Sequence, residues 1–217
     1  MDLADGLQVQ VLVLAKEPVS GLVKTRLCPP LTPAGAAAVA TAALEDTLAV
    51  VRAVPVARRV LVLDGSYDAP GFTVQPQVAG SMDERLGAAF DDAAVAGLPA
   101  LLIGMDTPQL TATLLRQAVQ ALQDAPAVLG RAPDGGWWAL GLQHPDGDLL
   151  RGVATSRNDT GEQQLARLHC AGLAPVLLPE LRDVDTVQDA LAVAALAPHG
   201  RFATVLAGLL AGVRRTG

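Results

Sequence analysis

Gln8-Val-Gln-Val-Leu-Val-Leu-Ala15-Lys16-Glu-Pro18-Val-Ser-Gly21-Leu-Val-Lys24-Thr-Arg26 joins an apolar run to a polar loop that concentrates positive charge. The run from Val9 to Ala15 reads as a buried strand, short and dense in branched aliphatic side chains. The loop holds both lysines of a chain whose other basic residues are all arginines. Pro18 and Gly21 stiffen and sharpen the turn, and the planar fork of Arg26 suits phosphate oxygens. The glycine spacing is neither that of a P-loop nor that of a G-x-G-x-x-G dinucleotide loop. Two ammoniums and a guanidinium after the first strand of an α/β fold suit an anion, most often a nucleotide's phosphates. The competing account is a solvated loop with charges at its rim.

Outward from this stretch, strands and helices alternate. Strands are expected at Gln8–Ala15, Arg59–Asp64, Ala100–Met105, Ala127–Arg131, Trp137–Leu142 and Ala174–Leu178. Helices are expected at Pro33–Ala53, Ser81–Ala96, Thr111–Leu122, Thr160–Cys170, Thr186–Ala195 and Arg201–Val213. Proline opens the first helix, and Ser81-x-x-Glu84 and Thr160-x-x-Gln163 read as capping boxes. Such alternation predicts a three-layer α/β/α fold with a mostly parallel sheet. No repeat, linker or low-complexity tract interrupts it, so residues 1–217 read as one domain.

Of the 217 residues, 51% are hydrophobic and 18% charged, enough to build a sizeable core. A net charge of -6 argues against broad nucleic-acid binding, which needs a basic surface, but leaves room for one small basic pocket. Cys28 and Cys170 have no metal-ligand spacing and read as reduced thiols, the usage of a cytoplasmic protein. No signal-peptide pattern is expected, and the apolar Phe202–Val213 run is too short to span a bilayer.

Ligands of open α/β sheets bind at the carboxyl ends of strands; three polar clusters fall there, and a fourth, Asp183–Thr186, sits between a short strand and a helix. Lys16–Arg26 is the first. Asp106 follows Leu101-Leu-Ile-Gly-Met105 and precedes Thr107-Pro108, which suits either a metal ligand or a turn or helix-cap residue. Asp183 and Asp185 precede the Thr186 helix, where an N-cap competes with a metal-binding role, most strongly for Asp183. Asp134-Gly135-Gly136-Trp137-Trp138 gathers both tryptophans. Its glycines could admit a ligand close to the backbone while one indole stacks on it and the other packs in the core. The three histidines are scattered, and no nucleophile elbow or zinc motif is present.

Together these segments, in this order, resemble a family of GT-A-like proteins labelled as glycosyltransferases without an assigned reaction. More distantly the chain is similar to the phospholactate and molybdenum-cofactor guanylyltransferases. The resemblance runs from about residue 9 to 195 and implies a nucleotide-diphospho-sugar transferase fold. It implies nucleotide-phosphate contacts from Ala15, Lys16, Gly21, Lys24 and Arg26, with Gly135 and Trp137 alongside. It also implies a Mg2+ site at Asp106 and Asp185 and catalytic roles for Lys24 and Asp106; under glycosyl transfer Asp134 is the candidate catalytic base that activates an acceptor hydroxyl. The chain departs from the family pattern at Ala154–Asp159, which stands where a Trp-Ser-Thr segment is usual, and at Val187, where proline is usual. Expected partners are a nucleotide or nucleotide sugar and a small-molecule acceptor. Glycosyl transfer usually employs an Asp-x-Asp pair at the strand end. A single acid at Met105-Asp106-Thr107 favours nucleotidyl transfer to a phosphorylated acceptor, ahead of glycosyl transfer and of non-catalytic binding.

Overall fold

The computed structural model describes residues 7–216, leaving 1–6 and 217 of the expected domain outside. Seven strands form one sheet: β1 (Leu7–Lys16), β2 (Val56–Asp64), β3 (Thr73–Pro76), β4 (Ala100–Gly104), β5 (Ala127–Arg131), β6 (Trp137–Leu142) and β7 (Val176–Leu178). Their spatial order is β3-β2-β1-β4-β6-β5-β7. Only β6 is antiparallel to its neighbours, β4 and β5. The expected pairing of β1 with β4 is present and parallel.

β1 is buried from Val9 to Val13, on both faces, because helices cover the sheet on each side. Its one polar residue in that run, Gln10, is fully buried and satisfied: its amide donates to Ala93 O at 2.8 Å and Leu98 O at 3.0 Å. One core layer packs α1 (Pro33–Arg52) and α3 (Ala112–Asp124) on Val9, Val11, Val13, Leu101 and Ile103. The opposite layer packs α2 (Met82–Ala94) and α4 (Thr160–Cys170) on Leu12, Val60, Val62, Leu102 and Leu140. A third cluster sets the outer face of α1 against α5 (Val187–Leu196) and α6 (Arg201–Thr216) through Val39, Ala43, Ala190, Val193, Phe202 and Leu206. α1 is thus apolar on nearly every side. By length and composition it could cross a membrane, but 61% of its apolar window is buried inside the protein, as in a core helix.

The sequence expectations for β5, β6 and α4 match to the residue, and most other ends differ by only a few positions. The short, exposed edge strand β3 has no counterpart among them. Ser81 and Glu84 do cap α2, with the Ser81 amide donating to Glu84 Oε2 at 2.9 Å. The box expected at Thr160 does not form. Asp159 is the N-cap, Gln163 donates to Asp159 Oδ2 at 2.8 Å, and the Thr160 hydroxyl turns away to Ala154 O.

Candidate functional site

The site begins at the carboxyl end of β1, where Lys16 leaves the sheet exposed. A turn with Gly21 at φ 82° brings the chain to Lys24, itself left-handed at φ 47°. A short 3-10 turn, Thr25–Leu27, follows and buries Leu27 in the α1/α5/α6 cluster. From the other end of the sequence, Val184 buries itself in the same cluster. Its amide donates to Asp106 O at 2.9 Å, and the Gln109 amide donates to Arg182 O at 2.6 Å. These two bonds fasten the Asp106 turn to the 182–185 segment.

The result is a compact charge cluster. Lys24 Nζ lies 2.9 Å from Asp106 Oδ1 and 3.6 Å from Asp185 Oδ1, and Arg26 Nη1 donates to Asp185 Oδ2 at 2.9 Å. The Lys24 side chain is only 11% exposed, so its charge requires those partners. Burial alone would lower its pKa. The Asp106 carboxylate at hydrogen-bond distance, with Asp185 and Asp183 beyond, outweighs burial and holds Lys24 above the ordinary lysine value. Asp106 Oδ1 is buried and, apart from this ammonium, has no partner among the described residues.

Neither acid is explained by helix capping. α3 is capped by Thr111, whose hydroxyl accepts from Leu114 N at 3.1 Å. α5 is capped by Thr186, which accepts from Asp189 N at 3.3 Å, while Asp189 Oδ2 takes the Thr186 amide at 2.9 Å. Asp106 and Asp185 are left facing the cluster.

Two cavities meet at this wall. The smaller, about 270 Å³, is lined by Lys16, Lys24, Arg26, Met105, Asp106 and Asp185 among others. The larger, about 440 Å³, shares Arg26, Asp106 and Asp185 and adds apolar walls from Leu14, Leu86, Leu102 and Trp137. Its polar walls include Asp134, Asp183, Ser156, Arg157 and Asn158. Asp183 is pushed up to about 6, first by burial and then by the negative charge of Asp134 and Asp185, against a smaller opposing pull from Lys24. The sequence discounted Asp183 as a cap. Its spacing from Asp185 was the available signal, since alternate residues of an extended segment share a face, here with Val184 turned inward.

Three of the residues expected to touch a nucleotide stand off the walls of both cavities. Ala15 is 3% exposed and packs in the core, its carbonyl taken by Gln77 Nε2 at 2.8 Å. Gly21 lines neither cavity and serves the turn's left-handed backbone. Gly135 admits the chain itself rather than a ligand: a Cβ there would sit 1.8 Å from Asn158 O. Trp138 packs in the core and donates to Pro179 O at 3.0 Å, leaving Trp137 at the larger cavity, the division expected for adjacent strand residues. Asp134 also lines that cavity while its Oδ1 closes the turn by accepting from Gly136 N at 2.8 Å.

The model of the family described as "Uncharacterized protein conserved in bacteria (DUF2064)" matches residues 35–157, more than half of the chain. The chain belongs to this family. The matched span contains Asp106, Asp134 and Trp137, whereas the lysine loop and Asp183–Asp185 lie outside it. No curated protein sequence matches. Among solved structures, a provisionally named nucleotide-diphospho-sugar transferase of Desulfovibrio desulfuricans G20 superposes with a TM-score of 0.87 at 23% identity, over 96% of this chain and 97% of that one. The cytidylyltransferase for 2-C-methyl-D-erythritol 4-phosphate of Thermus thermophilus gives 0.53 at 19% identity, over 88% and 99%. Rv0371c of Mycobacterium tuberculosis H37Rv, in complex with manganese, gives 0.51 at 20% identity, over 86% and 97%. The shared property is the fold, that of the nucleotide-diphospho-sugar transferases.

Proposed function

We propose that this DUF2064 protein is a divalent-cation-dependent transferase that moves the nucleotidyl group of a nucleoside triphosphate to a small phosphorylated acceptor. The observation that supports it above others is the convergence of Asp106 and Asp185 on the Lys24 ammonium, at a wall common to two cavities.

The donor set fits a hard cation such as Mg2+. Nucleotide sites hold that ion with one or two carboxylates, and phosphate oxygens and water complete the shell. Asp106 and Asp185 supply that number, and the buried Asp106 Oδ1 has no partner but Lys24 among the described residues. Among the described residues no group of three or more His, Cys, Asp or Glu is placed to hold a metal ion. Manganese in the M. tuberculosis neighbour accords with a divalent cation. When bound, such an ion neutralises charge building on the phosphates.

Lys16, Lys24 and Arg26 bind the phosphate chain. Lys24 trades one carboxylate for a phosphate oxygen, and the αL turn keeps its ammonium at the wall. An acceptor phosphate oxygen bonds to the α-phosphorus as the bond from that phosphorus to the bridging oxygen breaks, and pyrophosphate leaves with the electron pair. The protein supplies alignment and charge and forms no covalent intermediate. Trp137 offers an aromatic face to the nucleoside or the acceptor in the larger cavity.

A second reading, glycosyl transfer from a nucleotide sugar, is favoured by the Asp183-Val184-Asp185 pair and by Asp134, which could take a proton from an acceptor hydroxyl. The experiment is a pyrophosphate-release assay over the four triphosphates with Mg2+ or Mn2+ and a set of small phosphomonoesters, run beside turnover of nucleotide sugars. Pyrophosphate release that needs the acceptor supports nucleotidyl transfer. Nucleotide-sugar turnover alone replaces it with glycosyl transfer. Nucleotide binding without either reaction marks a non-catalytic binding protein.

A further inference from the structure

We propose that Arg157 is the anchor for the acceptor's anion, and that the acceptor is a phosphomonoester with an apolar body lying in the larger cavity. The chemical identity of the acceptor deepens the nucleotidyl-transfer reading and rests on it. The presence of an anion site at Arg157 can be tested separately.

Arg157 sits on the 154–159 segment that leads into α4 and lines the larger cavity. Its Nε donates to Asp159 Oδ1 at 2.9 Å, and Gln163 holds the other oxygen of that carboxylate at 2.8 Å. The guanidinium is therefore oriented, and neither of its terminal nitrogens has a protein partner among the described residues. The other guanidinium at this cavity, Arg26, is already committed to Asp185. Arg157 is paired too, but through Nε alone, so both of its terminal nitrogens are left as a fork suited to paired oxygens of a phosphate, whereas Arg26 spends one of its terminal nitrogens on Asp185.

The segment that presents Arg157 is fastened to the body of the protein. The Arg157 amide donates to Thr160 Oγ1 at 3.1 Å, and the Thr160 hydroxyl donates to Ala154 O at 2.9 Å. The main chain at Asn158 packs against Gly135 so closely that no side chain could stand there, and Gly161 N donates to Gly135 O at 2.7 Å. Ser156, at φ 58°, is one of only two non-glycine residues with positive φ among those described; Lys24 is the other, and both line the site. Strained backbone of this kind is retained where surroundings over-determine it, typically at ligand sites.

The rest of the cavity limits what the anion is attached to. Leu14, Leu86, Leu102 and the Trp137 ring offer apolar contact for a carbon skeleton. Asp134 and Asp183 accept hydrogen bonds and repel further negative charge, so one anionic group fits and several do not. A monophosphate on an apolar body satisfies both conditions.

The test uses phenyl phosphate as probe, titrated calorimetrically into the full chain with Mg2+ and a non-hydrolysable triphosphate analogue filling the lysine cavity. Arg157→Gln should weaken the probe at least tenfold, and Asp159→Asn, which frees the guanidinium to swing, by a smaller factor. Lys16→Ala should weaken the triphosphate analogue and leave the probe within about twofold. Unchanged phenyl phosphate affinity in Arg157→Gln overturns the proposal. So does tighter binding of phenyl β-glucoside than of phenyl phosphate, which would make the cavity a hydroxyl site. A parent protein that ignores the triphosphate analogue yet binds phenyl phosphate through Arg157 would sink the nucleotidyl-transfer reading and keep the anion site.

Discussion

Asp106 and Asp183 stand in one charge cluster and in opposite electrostatic situations. Asp106 is the nearest partner of the largely buried Lys24 ammonium, so a neutral amide of equal size leaves that charge with the more distant Asp185 and costs stability. Asp106→Asn is expected to lower the melting temperature by several degrees and still fold, while losing metal-dependent turnover by about a hundredfold or more, measured as pyrophosphate release. Asp183 has the reverse problem. Its carboxyl is pushed up to about 6 in the fold, above the unfolded value of 3.8, because burial and the Asp134 and Asp185 charges disfavour ionisation. The folded state then binds the proton more tightly than the unfolded chain. The stability tied to that proton is fully present below 3.8 and is lost as pH rises through 6. Asp183→Asn should therefore raise the melting temperature at pH 7.5 in the absence of metal, with the gain vanishing near pH 4. A gain of equal size at both pH values would show that the cluster does not strain Asp183.

At the scale of elements, Leu27 and Val184 link two distant segments through one core: the lysine turn and the acid segment both rest on α1, α5 and α6. Val184 is 1% exposed, and its truncation removes two methyl groups from this contact. Val184→Ala is expected to cost about 2 kcal/mol by denaturant unfolding. It should also weaken nucleotide binding although no liganding atom changes; full affinity with the stability loss would separate the core from the site. This link was not visible in the sequence, since periodicity shows that a residue is buried but not against what. The elements themselves were legible where burial imposes a pattern, as in β1, β5 and β6. β3 was not, because its residues are exposed or half-buried and it ends on Pro76. The site was legible as four clusters because lysines, paired acids and tryptophans are conspicuous. Capping of α5 went to Thr186 rather than to the adjacent Asp185, which residue type alone could not decide because both favour an N-cap, and α3 is capped by Thr111, five positions beyond Asp106. Gly135 was read correctly as a place of close approach, yet the approaching group is Asn158 of the same chain.

For the whole molecule, the reversal of β6 brings its amino end, with Trp137 and the Asp134 turn, to the edge where β1 and β4 end. The confinement of both lysines to that edge has a consequence for chemistry done on the protein from outside. Every lysine ε-amine of this chain reports on one cavity, since Lys16 and Lys24 both line it. Reductive methylation with isotope-labelled formaldehyde should therefore give just two lysine dimethylamine resonances without any mutagenesis. Lys16, exposed at the mouth of the turn, should react first. Lys24, clasped by Asp106 and Asp185 and held in its protonated form, should lag well behind. Adding a nucleoside triphosphate with Mg2+ should protect Lys16 and shift the Lys24 resonance as its ammonium exchanges carboxylate for phosphate. Equal labelling of both amines, indifferent to nucleotide, would mean that the chain's two lysines share a neighbourhood and nothing more.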